Sequence, residues 1–166
     1  PMTFVMTPGL PLDDYYRFNS GAVLLPRDGS EIGYRLDRPN PYGVAPEEGD
    51  LAVGCKKGAM TESGTWDWSC RLRMLNGGGV QLRRDLVLQQ APTDGYREVF
   101  EFGMSAEAAE WDHRAERYLY VRLRDGRYYG HLGLRVRTAG DFFFAVDGMV
   151  NTAGTRELES LLPEGG

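Results

Sequence analysis

The side chains able to do covalent or metal chemistry are few. Cys55 and Cys70 are the only cysteines, and His113 and His131 the only histidines, too few for a four-ligand zinc site of thiolates and imidazoles. His113 lies in Glu110-Trp111-Asp112-His113-Arg114, a charged surface segment with no GxSxG elbow elsewhere to complete a triad. No HExxH, no GxxxxGKS/T and no GxGxxG opening a helix occurs, and no DxDxDG-like run offers calcium ligands. Gly77 to Gly79 precede a strand rather than a helix, so they are a poor phosphate cradle. No catalytic residue, metal or cofactor is assigned. A jelly-roll glycoside hydrolase needs two carboxyl groups across one cleft. Glu98 and Glu101 have opposite strand parity, and Asp13-Asp14 and Glu47-Glu48 fall in loops, which leaves that reading as the least favoured alternative.

The constellation with a chemical use is aromatic and cationic. In residues 117–137 two alternating runs flank Asp125-Gly126, the chemistry of a type I′ hairpin turn. Pairing 124 with 127 sets Leu119 against Leu132, Val121 against Gly130 and Leu123 against Tyr128 on the inner side. Tyr118, Tyr120, Arg122, Tyr129, His131 and Arg135 then share the outer face, with Tyr120 opposite His131 and Arg122 opposite Tyr129. Flat rings on a rigid sheet offer apolar area at low entropy cost, and guanidiniums and imidazole hydrogen-bond hydroxyls or carboxylates, which suits sugar rings. The same residue types suit a protein partner. The competing structural reading is that these pairs stabilise the sheet, or that another segment covers them.

Other elements must position this face. Residues 51–57 and 66–75 read as a second hairpin with Leu51 against Met74, Val53 against Leu72 and Cys55 against Cys70. The opposed cysteines fit a cross-strand disulfide, with two buried thiols as the alternative in a reducing compartment. Trp66 and Trp68 share the inward face and are expected in the core. Further strands are expected at 80–90, 98–104 and 141–150, with weaker ones at 3–6, 22–25 and 32–36. Residues 105–117, with Ser105 as N-cap, form the one expected helix, with no more than a turn or two linking strands as the alternative. Residues 39–49 read as a loop. Asn76-Gly77-Gly78-Gly79 would bury the wrong face as a simple hairpin loop, so a bulge or odd-length loop is expected there. Arg84 shares a face with Leu82 and Leu86, which calls for a bulge at Arg83-Arg84 or a carboxylate partner.

Composition agrees. The 166 residues include 22 glycines and 9 prolines, well above the usual combined share of about 12%, as many short strands and tight turns require. The length suits one domain over residues 1–166, with no internal repeat. The net charge of -5 argues against nucleic acid, and no apolar run is long enough for a membrane span. Only Lys56 and Lys57 among the 19 basic residues are lysines. Within residues 117–137 Asp125 is the sole carboxylate, so an acidic chain carries one basic face. The apolar start lacks a basic leader and a small-residue cleavage pattern, so no signal peptide is read there. Residues 1–20 are expected as an extended arm, with Met2 to Leu12 able to add as a strand to another copy.

Asp94-Gly95-Tyr96, Trp111, the run from Arg117 to Gly130 and the segment from Asn151 to Glu159 together resemble uncharacterised β-rich, extracytoplasmic bacterial modules. The resemblance covers the C-terminal half. It implies a β-sandwich with a long hairpin and assigns no catalytic residues.

The sequence therefore predicts an all-β sandwich or jelly roll of about eight to ten mainly antiparallel strands. The expected function is a non-catalytic extracellular or cell-surface module binding glycan or surface polymer. The alternative is a self-assembling surface-layer or filament subunit whose partners are other copies of itself.

Overall fold

Strands whose side chains alternate between apolar and polar bury one face each, and here two antiparallel sheets bury those faces against each other. The computed structural model describes residues 15–84 and 90–158. One sheet runs in the order β1 (Tyr15–Asn19), β11 (Phe143–Asn151), β10 (Tyr128–Arg137), β9 (Arg114–Leu123) and β7 (Gly79–Leu82), with β2 (Val23–Leu24) also paired to β11. The other runs β4 (Tyr42–Val44), β3 (Ile32–Tyr34), β5 (Leu51–Lys57), β6 (Trp68–Met74) and β8 (Val99–Met104). The β-sandwich expected from sequence is present, with eleven strands among the described residues.

The core lies between the sheets. Leu119, Val121, Leu123, Leu132, Leu134, Phe144 and Val146 from the first sheet meet Tyr34, Leu51, Val53, Leu72 and Met74 from the second, all buried. The Tyr34 and Phe144 rings span the gap at 6.4 Å. Trp66 and Trp68 are in this core, and their indole N–H groups donate to the Thr138 hydroxyl at 3.0 Å and the Asp112 carbonyl at 2.9 Å, so burying them leaves no donor unpaired.

Both hairpin registers are those read from the sequence. Leu119 pairs with Leu132, Val121 with Gly130 and Leu123 with Tyr128, while Leu51 pairs with Met74, Val53 with Leu72 and Cys55 with Cys70. Cys55 and Cys70 form a disulfide and are 0% and 2% exposed. Without reductant, thiol titration of the denatured protein is expected to find no free thiol; two equivalents per chain would contradict the bond.

Several expectations need correction. The hairpin turn starts one residue early. Arg124 and Asp125 take the left-handed conformation (φ 52° and 57°) and the Gly126 N–H donates to the Leu123 carbonyl at 3.2 Å, so Asp125-Gly126 are not the two central residues. For residues 105–117 the turn reading holds and the helix does not: the Ala108 and Trp111 N–H groups close successive turns onto the Ser105 and Ala108 carbonyls, and β9 already begins at Arg114. Thirteen residues with β-branched and aromatic neighbours downstream gain more from extending β9 than from an isolated helix. The glycine run is a crossing between sheets rather than a hairpin, since β6 and β7 lie in different sheets. There Gly77 (φ +72°) passes the hairpin tip so closely that a Cβ would overlap the Asp125 carboxylate.

Arg84 is exposed beyond the end of β7, which removes its conflict with the core. Residues 39–49 hold β4 and a 3-10 turn at Pro46–Glu48. Of the arm expected over residues 1–20, the described part includes β1, an ordinary edge strand on β11. The strand expected at 3–6, the segment from Met2 to Leu12 and part of the strand at 80–90 lie outside the described residues.

Candidate functional site

The outer face of the first sheet is built of rows running across the strands. One row sets Arg17, Met149, His131 and Tyr120 side by side, and the next sets Asn19, Asp147, Gly133 and Tyr118. Their side chains point away from the core because Phe18, Leu132, Leu119 and Val150, one position along, point into it.

The six residues singled out in sequence do not remain one open surface. Tyr120 is 5% exposed, packed with Ala91 and Leu158 and flanked by Tyr96 and Tyr129 in a second, smaller core. Two segments make this cover. The Ala91 N–H donates to the Arg156 carbonyl at 2.8 Å and the Arg156 guanidinium returns to the Ala91 carbonyl at 2.7 Å. Buried Asn151 folds the C-terminal segment back, donating to the Thr155 and Glu157 carbonyls at 2.7 and 3.0 Å. The Tyr15 hydroxyl donates to the Leu158 carbonyl. Arg122 lies over the Tyr96 ring at 5.0 Å, and the Tyr96 and Tyr129 rings meet at 6.3 Å. Burial foremost pushes the Tyr96 hydroxyl well above the ordinary phenol range. Tyr120, Arg122 and Tyr129 therefore hold the cover down and do not form part of an open platform. The segments 90–97 and 151–158 lack period-two alternation, so hydrophobic patterning gave no sign that they would return over the sheet.

Below the cover the face opens into a groove of about 470 Å³. It is lined by Arg17, Arg83, Tyr118, His131, Gly133 and Asp147, with Phe18, Asn19, Pro39, Gly148 and Met149. Tyr118 is 51% exposed, and the Arg83 guanidinium lies 6.0 Å from its ring. The Arg83 N–H donates to the Tyr118 carbonyl at 2.8 Å, fixing their relative position. Gly133 is the floor: a Cβ there would come within 2.8 Å of Asp147 Oδ1 and 3.5 Å of the Tyr118 ring, so a side chain at this position would displace the Asp147 carboxylate and narrow the groove. Arg135 stands beside the groove with its guanidinium on Asp147 Oδ2 at 2.9 Å.

Of the six sequence candidates, Tyr118 and His131 line this groove and Arg135 braces it. Arg17, Arg83, Gly133 and Asp147 were missed. Asp147 was within reach, since its parity in the strand expected at 141–150 is opposite to that of Phe144 and Val146. Arg17 was not, because the edge strand that carries it reads as an arm.

His131 is half-buried, and its pKa is pushed from the ordinary 6.5 down to about 4 by burial first and then by the Arg83 and Arg17 charges. At neutral pH it offers a neutral imidazole. The folded state resists protonation that the unfolded chain accepts, so stability is full above pH 6.5 and falls as pH drops toward 4. A loss of about 2 kcal/mol between pH 7 and 4.5 is expected from this site. Glu31, held low chiefly by the hydrogen bond from Arg73, and Asp37, where bonds from Arg35 and Arg124 outweigh burial, are lowered too and add to the same fall on acidification, so the difference between parent and variant is what reports on His131. Urea melts of His131→Gln should be flatter than those of the parent between these pH values, and an unchanged slope would contradict the assignment.

A second groove, of about 570 Å³, crosses the outer face of the other sheet between Glu31, Lys56, Arg71 and Glu101. Its carboxylates are matched by arginines, Glu31 with Arg73 at 2.8 Å and Glu101 with Arg71 at 3.4 Å. A glycosidase acid needs a raised pKa, and Glu31 is shifted the other way. His113 lies in the turn before β9, its ring 3.6 Å from Asp112 Oδ1. Among the described residues no cluster of three or more His, Cys, Asp or Glu side chains is placed to hold a metal ion, and no helix is long and apolar enough to cross a membrane.

No family model, curated protein or solved structure matches this chain. The groove must be read on its own chemistry.

Proposed function

We propose that the protein is a non-catalytic binding module for glycan or surface polymer, and that the polymer lies in the groove on the outer face of the first sheet. The observation that carries this reading is the half-exposed Tyr118 ring at the rim of a groove floored by Gly133 and edged with hydrogen-bonding groups. A tyrosine ring stacks on the apolar face of a sugar, and Arg17, Arg83, His131 and Asp147 supply donors and acceptors for its hydroxyls. Tyr118, His131 and Asp147 stand on three adjacent paired strands, so the groups are held in place before the ligand arrives. An extracellular or cell-surface location belongs to the same proposal, and the Cys55–Cys70 disulfide supports it.

Affinity electrophoresis through polysaccharide gels, with a glycan array beside it, tests the reading. Retardation by at least one polymer is expected, weakened about tenfold by Tyr118→Ala, the loss expected for a stacking contact worth 1.4 kcal/mol. Absence of any retained polymer, or retention indifferent to Tyr118→Ala, overturns it.

A further inference from the structure

We infer that the groove selects by length, taking about four consecutive units of a sugar chain that lies across the strands, with Tyr118 under one end and Arg17 beside the other; this rests on the glycan reading above. The lining residues set the direction. Tyr118, Gly133, Asp147 and Asn19 form one row across β9, β10, β11 and β1, and His131, Met149 and Arg17 stand in the row beside it. From the spacing of paired strands and the rise per residue, the lining extends about 14 Å across the strands from Tyr118 to Asn19, and about 7 Å along β10 from His131 to Gly133. With these proportions a groove of about 470 Å³ is a trough, long enough for several sugar rings end to end and wide enough for one abreast.

The groups change from step to step along it. At the β9 end the half-exposed Tyr118 ring is the stacking surface. Over β10 Gly133 puts no side chain in the way, so a ring can lie low against the sheet. Over β11 Asp147 gives Oδ2 to Arg135 at 2.9 Å, while Oδ1 leans over Gly133, where it can accept from a sugar hydroxyl. At the far edge Arg17 is exposed on β1. Tyr118 and Arg17 are separated by β10 and β11, so no single sugar unit touches both. A pyranose unit lengthens its chain by about one strand spacing, which sets Arg17 against a unit some three places along from the one on Tyr118. The contacts therefore add up only on a chain that reaches the whole way, and a free monosaccharide is bound weakly.

NMR titration with cello-, chito-, malto- and galacturonate oligosaccharides of one to six units tests this, using the parent, Arg17→Gln and Tyr118→Ala, beside affinity gels of hydroxyethylcellulose, glycol chitin, soluble starch and polygalacturonate. Both substituted side chains are exposed, so both variants are expected to keep the parental melting temperature. In at least one series affinity is expected to rise with each unit up to about four and to stay level at five and six. Tyr118→Ala should weaken every length about tenfold, whereas Arg17→Gln should weaken the four-unit oligomer about tenfold and leave the two-unit one unchanged. Affinity complete at one or two units, affinity still climbing from five to six, or Arg17→Gln acting alike on the two-unit and four-unit oligomers would overturn the length selection and leave the glycan reading standing. So would a polymer retained in its gel through Tyr118 whose oligomers of up to six units do not bind. Binding indifferent to Tyr118→Ala, or no binding in any gel, array or series, would make both readings fail.

Discussion

Arg124→Met is expected to lower the unfolding free energy by about 3 kcal/mol, because it strands a buried carboxylate. Asp50 is 2% exposed, and its oxygens accept from the Arg124 guanidinium at 3.0 and 3.4 Å and from the Leu36 N–H at 2.8 Å. Arg124 also reaches Asp37 at 3.0 Å and lies 4.9 Å from the Tyr128 ring. This one side chain ties the tip of the β9–β10 hairpin to the second sheet, and does so from a left-handed backbone that an arginine adopts at some cost. For a domain of this size the loss corresponds to about 6–12 °C in melting temperature. Arg124→Met with Asp50→Asn should recover a large part of it, since the amide keeps the bond from Leu36 and removes the stranded charge. A single variant within about 0.5 kcal/mol of the parent would show that the pair contributes little.

Replacing both cysteines by alanine is expected to cost a similar amount, about 3 kcal/mol, from the chain entropy restored to the unfolded state by opening a 15-residue loop. The folded protein should resist mild reductant, because neither sulfur is accessible in a sandwich interior. Reduction is then expected to follow the rate of unfolding, accelerating sharply with urea. Rapid loss of the bond in native buffer at low reductant would mean that β5 and β6 separate locally far more often than their burial implies.

The sequence made most of the frame legible for a simple reason. In strands such as β5, β6, β9 and β10 one face is buried, so a slip of one residue would turn Leu119 or Leu72 into solvent and Tyr118 or Arg71 into the core. Pattern alone then fixes register. It does not fix which elements lie over the outer face. Ala91, Tyr96 and Leu158 reach Tyr120 through irregular segments held by Asn151 and Arg156 hydrogen bonds, and no periodicity marks such a return. The turn at Arg124 was misplaced because Asp-Gly is the favoured pair for that conformation, whereas tertiary pairing with Asp50 and Asp37 decided it. Of the face expected to meet a ligand, Tyr120 is covered by the protein's own chain, and Arg122 and Tyr129 pack on the covering Tyr96.

Arg17 and Met149 stand side by side because the first and last strands among the described residues are neighbours, β1 lying on β11. A contact between such distant parts of the chain carries a large loop-closure entropy. The groove, whose lining comes from both strands of that pair, is consequently lost with either of them. On the binding reading proposed above, a bound ligand would therefore report molecules in which β1 and β11 are paired.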